Sequence, residues 1–191
     1  MSISLPKPEF KGEKSLEECI YERESVRNFK DKVIELEKVS QILWASQGKK
    51  GDKRTVPSAG ATYPLEIYVT LKDKGFFNYN VKKHALELIT EENLSSKLAR
   101  ASLDQNFISE VYMNLIICAE FSRTTWRYGQ RGVRYVFIEV GHCAQNVHLE
   151  AVALGLSSVP IGAFDDDQVK TVLKLSKKIE PLYIIPIGYP K

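Results

Sequence analysis

Residues 55–69, TVPSAGATYPLEIYV, change character at Leu65. From Leu65 to Leu71 the branched and aromatic side chains predict a strand. The ten residues ahead of it hold two prolines, one glycine, one serine and two threonines. A turn needs only one Gly or Pro to redirect the chain, so a run of small side chains from Pro57 to Pro64 asks for a further reason. Two readings fit. The stretch is a tight entry into the strand, or it is a wall on which backbone N–H groups approach a flat or anionic ligand unobstructed.

The rest of the chain sets the frame. At 191 residues it suits one domain, with residues 1–14 as an N-terminal arm and 15–191 as a single folded unit. A hydrophobic fraction of 43% and a charged fraction of 27% are those of an ordinary globular chain that needs no disulfide or metal staple. The net charge of +3 is too small to argue for nucleic acid, and no stretch interleaves Lys and Arg with stacking aromatics. Cys19, Cys118 and Cys143 form no CxxC pair, which points to reduced, buried thiols and a cytoplasmic setting. Residues 1–10 lack the basic start and apolar core of a signal peptide, and no apolar run reaches the ~18 residues of a membrane span.

Periodicity predicts the elements. Ser15-Leu16-Glu17-Glu18 is a capping box for a helix running to about Glu22. Residues 35–46 place Leu36, Val39, Ile42 and Leu43 on one face, with Gly48 as a left-handed terminator. The stretch 48–54 reads as a charged loop, 76–89 as a hairpin turning near Val81–Lys83, and 91–102 as a helix. Val111–Phe121 is apolar except for Asn114 and Glu120, as a central strand buried on both faces would be. Residues 123–132 read as an irregular basic-aromatic connection. A long helix from about Val133 to Leu154 is apolar nearly all round, which predicts burial, in part by a second subunit. A short helix over 165–175 and a last strand within 180–191 close the chain. The pattern is α+β, a mixed or antiparallel central sheet flanked by helices.

Three stretches carry candidate chemistry. In RESVR, Arg23, Ser25 and Arg27 alternate, so an extended backbone points two guanidiniums and a hydroxyl to one side, as an oxyanion or phosphate site requires. The bland alternative is a solvated turn after a helix. The small-residue stretch 57–60 is the second. In the third, Pro160-Ile161-Gly162-Ala163, small residues again expose backbone N–H groups, though an ordinary strand-to-helix turn would look similar. His142, Cys143 and His148 share a helix at spacings that do not converge on one metal.

Taken in order, RESVR, SAGATYPLEIYV, the GHCAQNVHLEAVALGL helix with PIGAF, and the closing PIGYP resemble the nitroreductase-like FMN-dependent oxidoreductases. SAGATYPLEIYV and YGQRGVRY are similar to the branch of azoline dehydrogenases, which form thiazoles and oxazoles on peptides. The resemblance covers about residues 15–191. It implies a nitroreductase-like homodimer with the long helix at the interface and FMN between the subunits. Arg23 and Ser25 then fall at the FMN phosphate, with Glu24 between them in the same cofactor-binding segment, and Arg27 near the flavin's pyrimidine edge. Pro57, Ser58, Ala59 and Gly60 match the loop that reaches the flavin from the partner subunit. Pro160, Ile161, Gly162 and Ala163 match the loop on the ring's other side, and Gln105 a polar residue at the ring edge. Lys191 is the candidate for the basic residue that follows the last strand in the family and contacts the phosphate.

The implied activity is hydride transfer through flavin N5 in a ping-pong cycle between NAD(P)H, or another small donor, and a nitro compound, quinone or azoline-like acceptor. No side chain is expected to be an essential acid or base. Tyr63, Trp126 and Tyr128 are the expected lining of the substrate face. Relatives carry Glu-Gly where this chain has Gly162-Ala163, and a Lys-Tyr pair where it has Arg127-Tyr128, so the native substrate stays open. The alternatives are a non-catalytic flavin sensor or store of the same fold, and an anion-binding module without flavin.

Overall fold

A computed structural model of the protein describes residues 2–191. In chain order the elements are β1 (Ser2–Ser4), α1 (Leu16–Glu22), α2 (Leu36–Gln47), β2 (Lys49–Lys50), β3 (Lys53–Arg54), a single 3₁₀ turn (Ala59–Ala61), β4 (Leu65–Leu71), β5 (Gly75–Asn80) and β6 (Ala85–Thr90). They continue with α3 (Ser95–Ala101), α4 (Phe107–Glu110), β7 (Met113–Ala119), α5 (Ser122–Tyr128), α6 (Arg131–Ala153), β8 (Ser157–Ser158), α7 (Asp166–Val172) and β9 (Glu180–Gly188). Seven strands form one sheet in the order β1-β6-β5-β4-β7-β9-β8. Every pairing in it is antiparallel, which narrows the mixed-or-antiparallel expectation to the second.

All seven residues of β7 are buried. Period-two alternation sends Met113, Leu115, Ile117 and Ala119 to one core, which they share with Ile42 and Leu43 of α2 and Val140 and Val147 of α6. Ile116 and Cys118 face a second core with Leu98 of α3, Val169 of α7 and Ile184 of β9. Asn114 is the polar exception within the strand. Its Nδ2 donates to Thr70 Oγ1 (3.0 Å) and the Ile108 carbonyl (2.9 Å), tying β7 to β4 and α4.

Several local expectations change. The first residues are not a loose arm: Ser2–Ser4 pairs with Ala85–Glu87 of β6, and Leu5 is buried. The charged stretch 48–54 contains a small hairpin, Lys49 opposite Arg54 and Lys50 opposite Lys53. Gly48 does end α2, but at φ −58° rather than in a left-handed conformation. Its lack of a side chain serves space instead, because a Cβ there would collide with the Trp44 carbonyl and indole. Residues 122–128 are helical where an irregular connection was expected, α5 closing at Gly129, whose N–H returns to the Thr125 carbonyl (2.7 Å). The β-branched Thr124 and Thr125 argue against a helix locally. Burial of Thr124, with its hydroxyl 2.8 Å from that of Thr62, overrides that propensity.

The long helix differs in a more telling way. α6 buries Val136, Glu139, Val140, Cys143, Ala144, Val147, His148 and Ala151, yet Phe137 and Ile138 are 53% and 48% exposed. Its own chain therefore covers one face only. Leu16, Ile20 and Tyr21 of α1, which packs against α6, are exposed as well.

Truncating the central strand tests this core. Ile117→Ala should lower the unfolding free energy by about 2–5 kcal/mol, read from the urea midpoint, because a fully buried branched side chain leaves a cavity that a strand flanked on both faces cannot collapse.

Candidate functional site

The candidate residues gather into two groups. The first surrounds the segment after α1. Capping-box hydrogen bonds between Ser15 and Glu18 fix the start of α1, and Arg23 caps its end in an extended conformation. Val26 N–H then donates to the Ser158 carbonyl (3.2 Å), pinning the segment beside β8 while Val26 packs on the core. Arg23 is half-buried; Glu24, Ser25 and Arg27 are exposed. Among the described residues neither guanidinium is in an ion pair, so both charges are available to an anion. Backbone bonding of Lys191 N–H to the Asn28 carbonyl (3.2 Å) brings the C-terminal lysine alongside.

Pro160–Ala163 belongs to this group. Ile161 is buried and exchanges backbone hydrogen bonds with Ile184, which leaves Gly162 and Ala163 projecting from the sheet edge, exposed. A side chain at Gly162 would approach nothing nearer than the Tyr183 ring at 3.6 Å, so the space over this loop is open. Gln105 Nε2 donates to the Ala163 carbonyl (3.0 Å) and the Ser102 carbonyl (2.8 Å), securing the loop from below.

The second group is the opening stretch itself. Gly60, Ala61 and Tyr63 have φ of +58°, +53° and +46°. Left-handed conformations at Ala61 and Tyr63 cost roughly 1–2 kcal/mol each, and such strain persists only where surroundings impose it. Here Ser58 Oγ accepts from Tyr63 N–H (2.9 Å), the Thr62 and Thr124 hydroxyls meet at 2.8 Å, and the Arg54 guanidinium lies 4.7 Å from the Tyr63 ring centroid. Gly60 has a steric reason too: a Cβ would lie 2.5 Å from Tyr128 Oη and 2.9 Å from Arg127 Nη1. Between this turn and α5 lies a cavity of about 460 Å³ lined by Gly60, Thr62, Arg123, Trp126 and Arg127. Trp126 stands 76% exposed at its rim. Of the three expected lining residues only Trp126 borders this cavity; Tyr63 lies within the turn itself and Tyr128 packs against Gly60. Among the described residues no hydrogen bond links this group to the first.

Beneath the turn lies a polar cluster that the sequence did not single out. Glu139, on the buried face of α6, is only 3% exposed, and its Oε1 has no hydrogen-bond partner. Burial pushes its carboxyl up to about 7; the facing Ser58 and Gln47 side chains and the charge of Arg54 offset part of the rise. Gln47 Oε1 accepts from Arg54 Nη1 (3.0 Å), while Gln47 Nε2 is buried and unpartnered, so the gap between Gln47 and Glu139 is not closed at ordinary length. A second buried pair underlies the first group: His148 lies 2.7 Å from Ser158 Oγ through Nδ1, and burial with Arg23 nearby pushes the imidazole down to about 4. The signal for both residues was helical spacing, because positions 136, 139, 140, 143 and 147 share the face on which Glu139 is the sole charge.

Comparison with known proteins follows this geometry. The sequence pattern of the nitroreductase family matches residues 20–189. The chain belongs to the nitroreductase family. A Methanocaldococcus jannaschii protein whose name places it provisionally among the nitroreductases is 44% identical over 195 aligned positions, covering 98% of this chain and 96% of that protein. The microcin B17-processing protein McbC of Escherichia coli is 25% identical over 82% of this chain and 63% of its own length. Among solved structures, a Ralstonia eutropha protein described in similarly provisional terms as a nitroreductase superposes with a TM-score of 0.88 at 26% identity, covering 100% of this chain and 90% of that one. The nitroreductase-like fold expected from the motifs holds, and the relatives include a microcin-processing protein, in line with the expected likeness to the azoline dehydrogenase branch.

In this nitroreductase-family chain the two buried groups oppose each other in pH. Glu139 keeps its proton to about pH 7 when folded but to 4.5 when unfolded, so its contribution falls as pH rises through that window, by on the order of 3 kcal/mol in full. His148, lowered from 6.5 to about 4, contributes stability that is present above that window and lost as pH falls through it. Glu139→Gln should therefore gain stability over the parent as pH rises from 5 to 8, and the variant's remaining slope between pH 4 and 6.5 should be the rising one of His148. Thermal midpoints across that range check both signs.

Proposed function

We propose that this protein is an FMN-dependent oxidoreductase that works as a homodimer, with each flavin held between the cationic group of one subunit and the small-residue wall of the other. The observation that carries this reading is two half-sites of complementary chemistry, each open on a single chain and unjoined within it. One offers two unpaired guanidiniums and exposed loop N–H groups; the other offers a strained turn of small residues beside aromatic side chains. The exposed apolar residues of α6 and α1 supply a surface for the second copy.

The residues present fit FMN. Arg23 and Arg27 suit a phosphate and the negative side of a reduced ring, and Ser25 adds a hydroxyl donor. Gly162, with open space over it, and Pro57–Gly60 leave room for a planar group between backbone surfaces. FMN, when bound, would supply a two-electron carrier able to exchange a hydride between NAD(P)H and a small organic acceptor in a ping-pong cycle. The chain's own part is to bind and orient. Gln105 holds the Ala163 carbonyl and so the loop; Arg127 and Tyr128 buttress Gly60; Trp126 stands at the cavity rim to receive a flat acceptor. Among the described residues no helix is long and apolar enough to cross a membrane, and the three cysteines are free and buried, which supports a cytoplasmic setting.

An absorption spectrum of the purified protein tests the cofactor: a flavin spectrum, bleached by NAD(P)H and restored by a quinone or nitroarene, is expected. Protein that stays colourless after incubation with FMN would overturn the proposal. Binding without bleaching would leave a flavin sensor or store instead.

Arg23→Ala and Arg27→Ala should each weaken FMN binding by roughly 10- to 100-fold, as loss of a charge-assisted hydrogen bond implies, measured by quenching of flavin fluorescence. Phe137→Glu with Ile138→Glu should shift the sedimenting species from dimer to monomer and lower FMN affinity in parallel, because neither half-site is complete alone.

A further inference from the structure

The cluster beneath the turn contains more polarity than packing requires. Ser58 Oγ accepts from the Tyr63 N–H, and its own O–H, free of any protein hydrogen bond among the described residues, faces the Glu139 carboxyl. Gln47 presents its Nε2 donors to the same carboxyl, while its Oε1 is engaged by Arg54. Both nearest side chains therefore offer donors. An ionised carboxylate can accept from both through its two oxygens; a protonated one keeps a single good acceptor oxygen and turns its own O–H toward the other donor. The two buried atoms left without partners, Glu139 Oε1 and Gln47 Nε2, are an acceptor and a donor of the same cluster.

We propose that Glu139 is the positioning residue of the Pro57–Tyr63 wall: its carboxylate draws in the Ser58 hydroxyl and the Gln47 amide, fixing the strained turn, and protonation releases it. Three observations carry this. The turn holds left-handed Ala61 and Tyr63, whose conformations need an external hold. The hydrogen bond from Tyr63 N–H passes through the residue that Glu139 faces. Glu139 itself is buried, on a long helix anchored in the core, so it is a fixed point from which the turn can be held.

The surrounding charges are few. Arg54 of β3 is the nearest cation, and it also senses Glu66 of β4 and Arg123 of α5. Glu66 and Arg123 are ion-paired at 2.6 Å, and Arg123 also meets Glu120 at 2.8 Å, so both largely offset each other. Cys143, one helical turn along α6, keeps its thiol proton because burial pushes it far up. Tyr63 faces the cluster through its backbone and its ring against Arg54. Glu139 is the group of this cluster that changes charge near neutrality.

The inference stands on the cluster; only its consequence for the cofactor rests on the proposed flavin site. The test is a ¹⁵N–¹H titration of the FMN-free protein from about pH 5.5 to about pH 8.5, a range that brackets the carboxyl's midpoint. The Tyr63 amide should shift with a midpoint near 7 in the parent, stay still in Glu139→Gln, and shift again at a displaced midpoint in Glu139→Asp. In Ser58→Ala the carboxyl should still titrate, followed by its own ¹³C signal, while Tyr63 no longer responds. A stationary Tyr63 amide in the parent, or the same titration in Glu139→Gln, overturns the proposal.

FMN affinity gives the second readout. The parent should bind roughly tenfold more tightly at the alkaline end, over and above the change seen in Glu139→Gln, which carries the ligand phosphate's own titration. A Tyr63 titration without FMN binding at any pH would overturn the flavin reading and leave this one standing. A titrating Tyr63 with FMN affinity changing alike in both proteins would show that the turn moves without serving the site, which overturns the positioning role.

Discussion

β7 has to be covered on both faces, and the architecture follows from meeting that demand. Seven consecutive buried residues leave no side of the strand for water. An antiparallel sheet can tolerate one wet face, but a central strand of this composition cannot. Helices α2 and α6 close one side and α3 and α7 the other, so the sheet becomes the middle layer of three. The backbone of β7 is satisfied along its length by β4 and β9, which places the start of β4 and the end of β8 at fixed positions on a rigid frame.

The candidate site grows from the ends of that frame. The small-residue turn enters β4, the 160–163 loop leaves β8 beside β9, and the RESVR segment is pinned to Ser158. Each is an irregular stretch held by a few specific hydrogen bonds, with Ile161 and Val26 packed on the core as anchors of the second and third. Under two of the three sits a buried ionisable group of α6, Glu139 under the first and His148 under the third. Both titrate away from their ordinary values because burial disfavours charge, and in opposite directions because one is an acid and the other a base. The same helix that completes the core thus sets the polar floor of both half-sites, and its outer face leaves Phe137 and Ile138 open.

Much of this was legible along the chain. Leu65–Leu71 falls where branched alternation predicts a strand, the Ser15 capping box is formed, and the hairpin turns where its residues indicate. Those elements obey local rules that tertiary contacts did not contradict. The residues matched to the phosphate and to the 160–163 loop fall in one group because Val26 is tied to Ser158 of β8 and Ile161 to Ile184 of β9, while Pro57–Gly60 stands apart in the second group. Other features escaped for stated reasons. α5 formed against its β-branched propensity because Thr124 is buried beside Thr62. β1 formed from a stretch with little pattern because β6 offered an edge to pair with. Glu139 was missed because an acid amid apolar helix residues reads as a solvated position until the opposite wall is known.

The sequence by itself determined the element types of the strongly periodic segments, the α+β class and the kinship of the motifs, because periodicity and glycine–proline punctuation act within a few residues. Only the tertiary structure decided which face of α6 stays open, where the two half-sites lie, and which buried groups titrate under them. Those properties belong to pairs of residues far apart in the chain, Ser58 with Glu139 and Ser158 with His148, and burial is a property of the whole enclosure rather than of any one stretch.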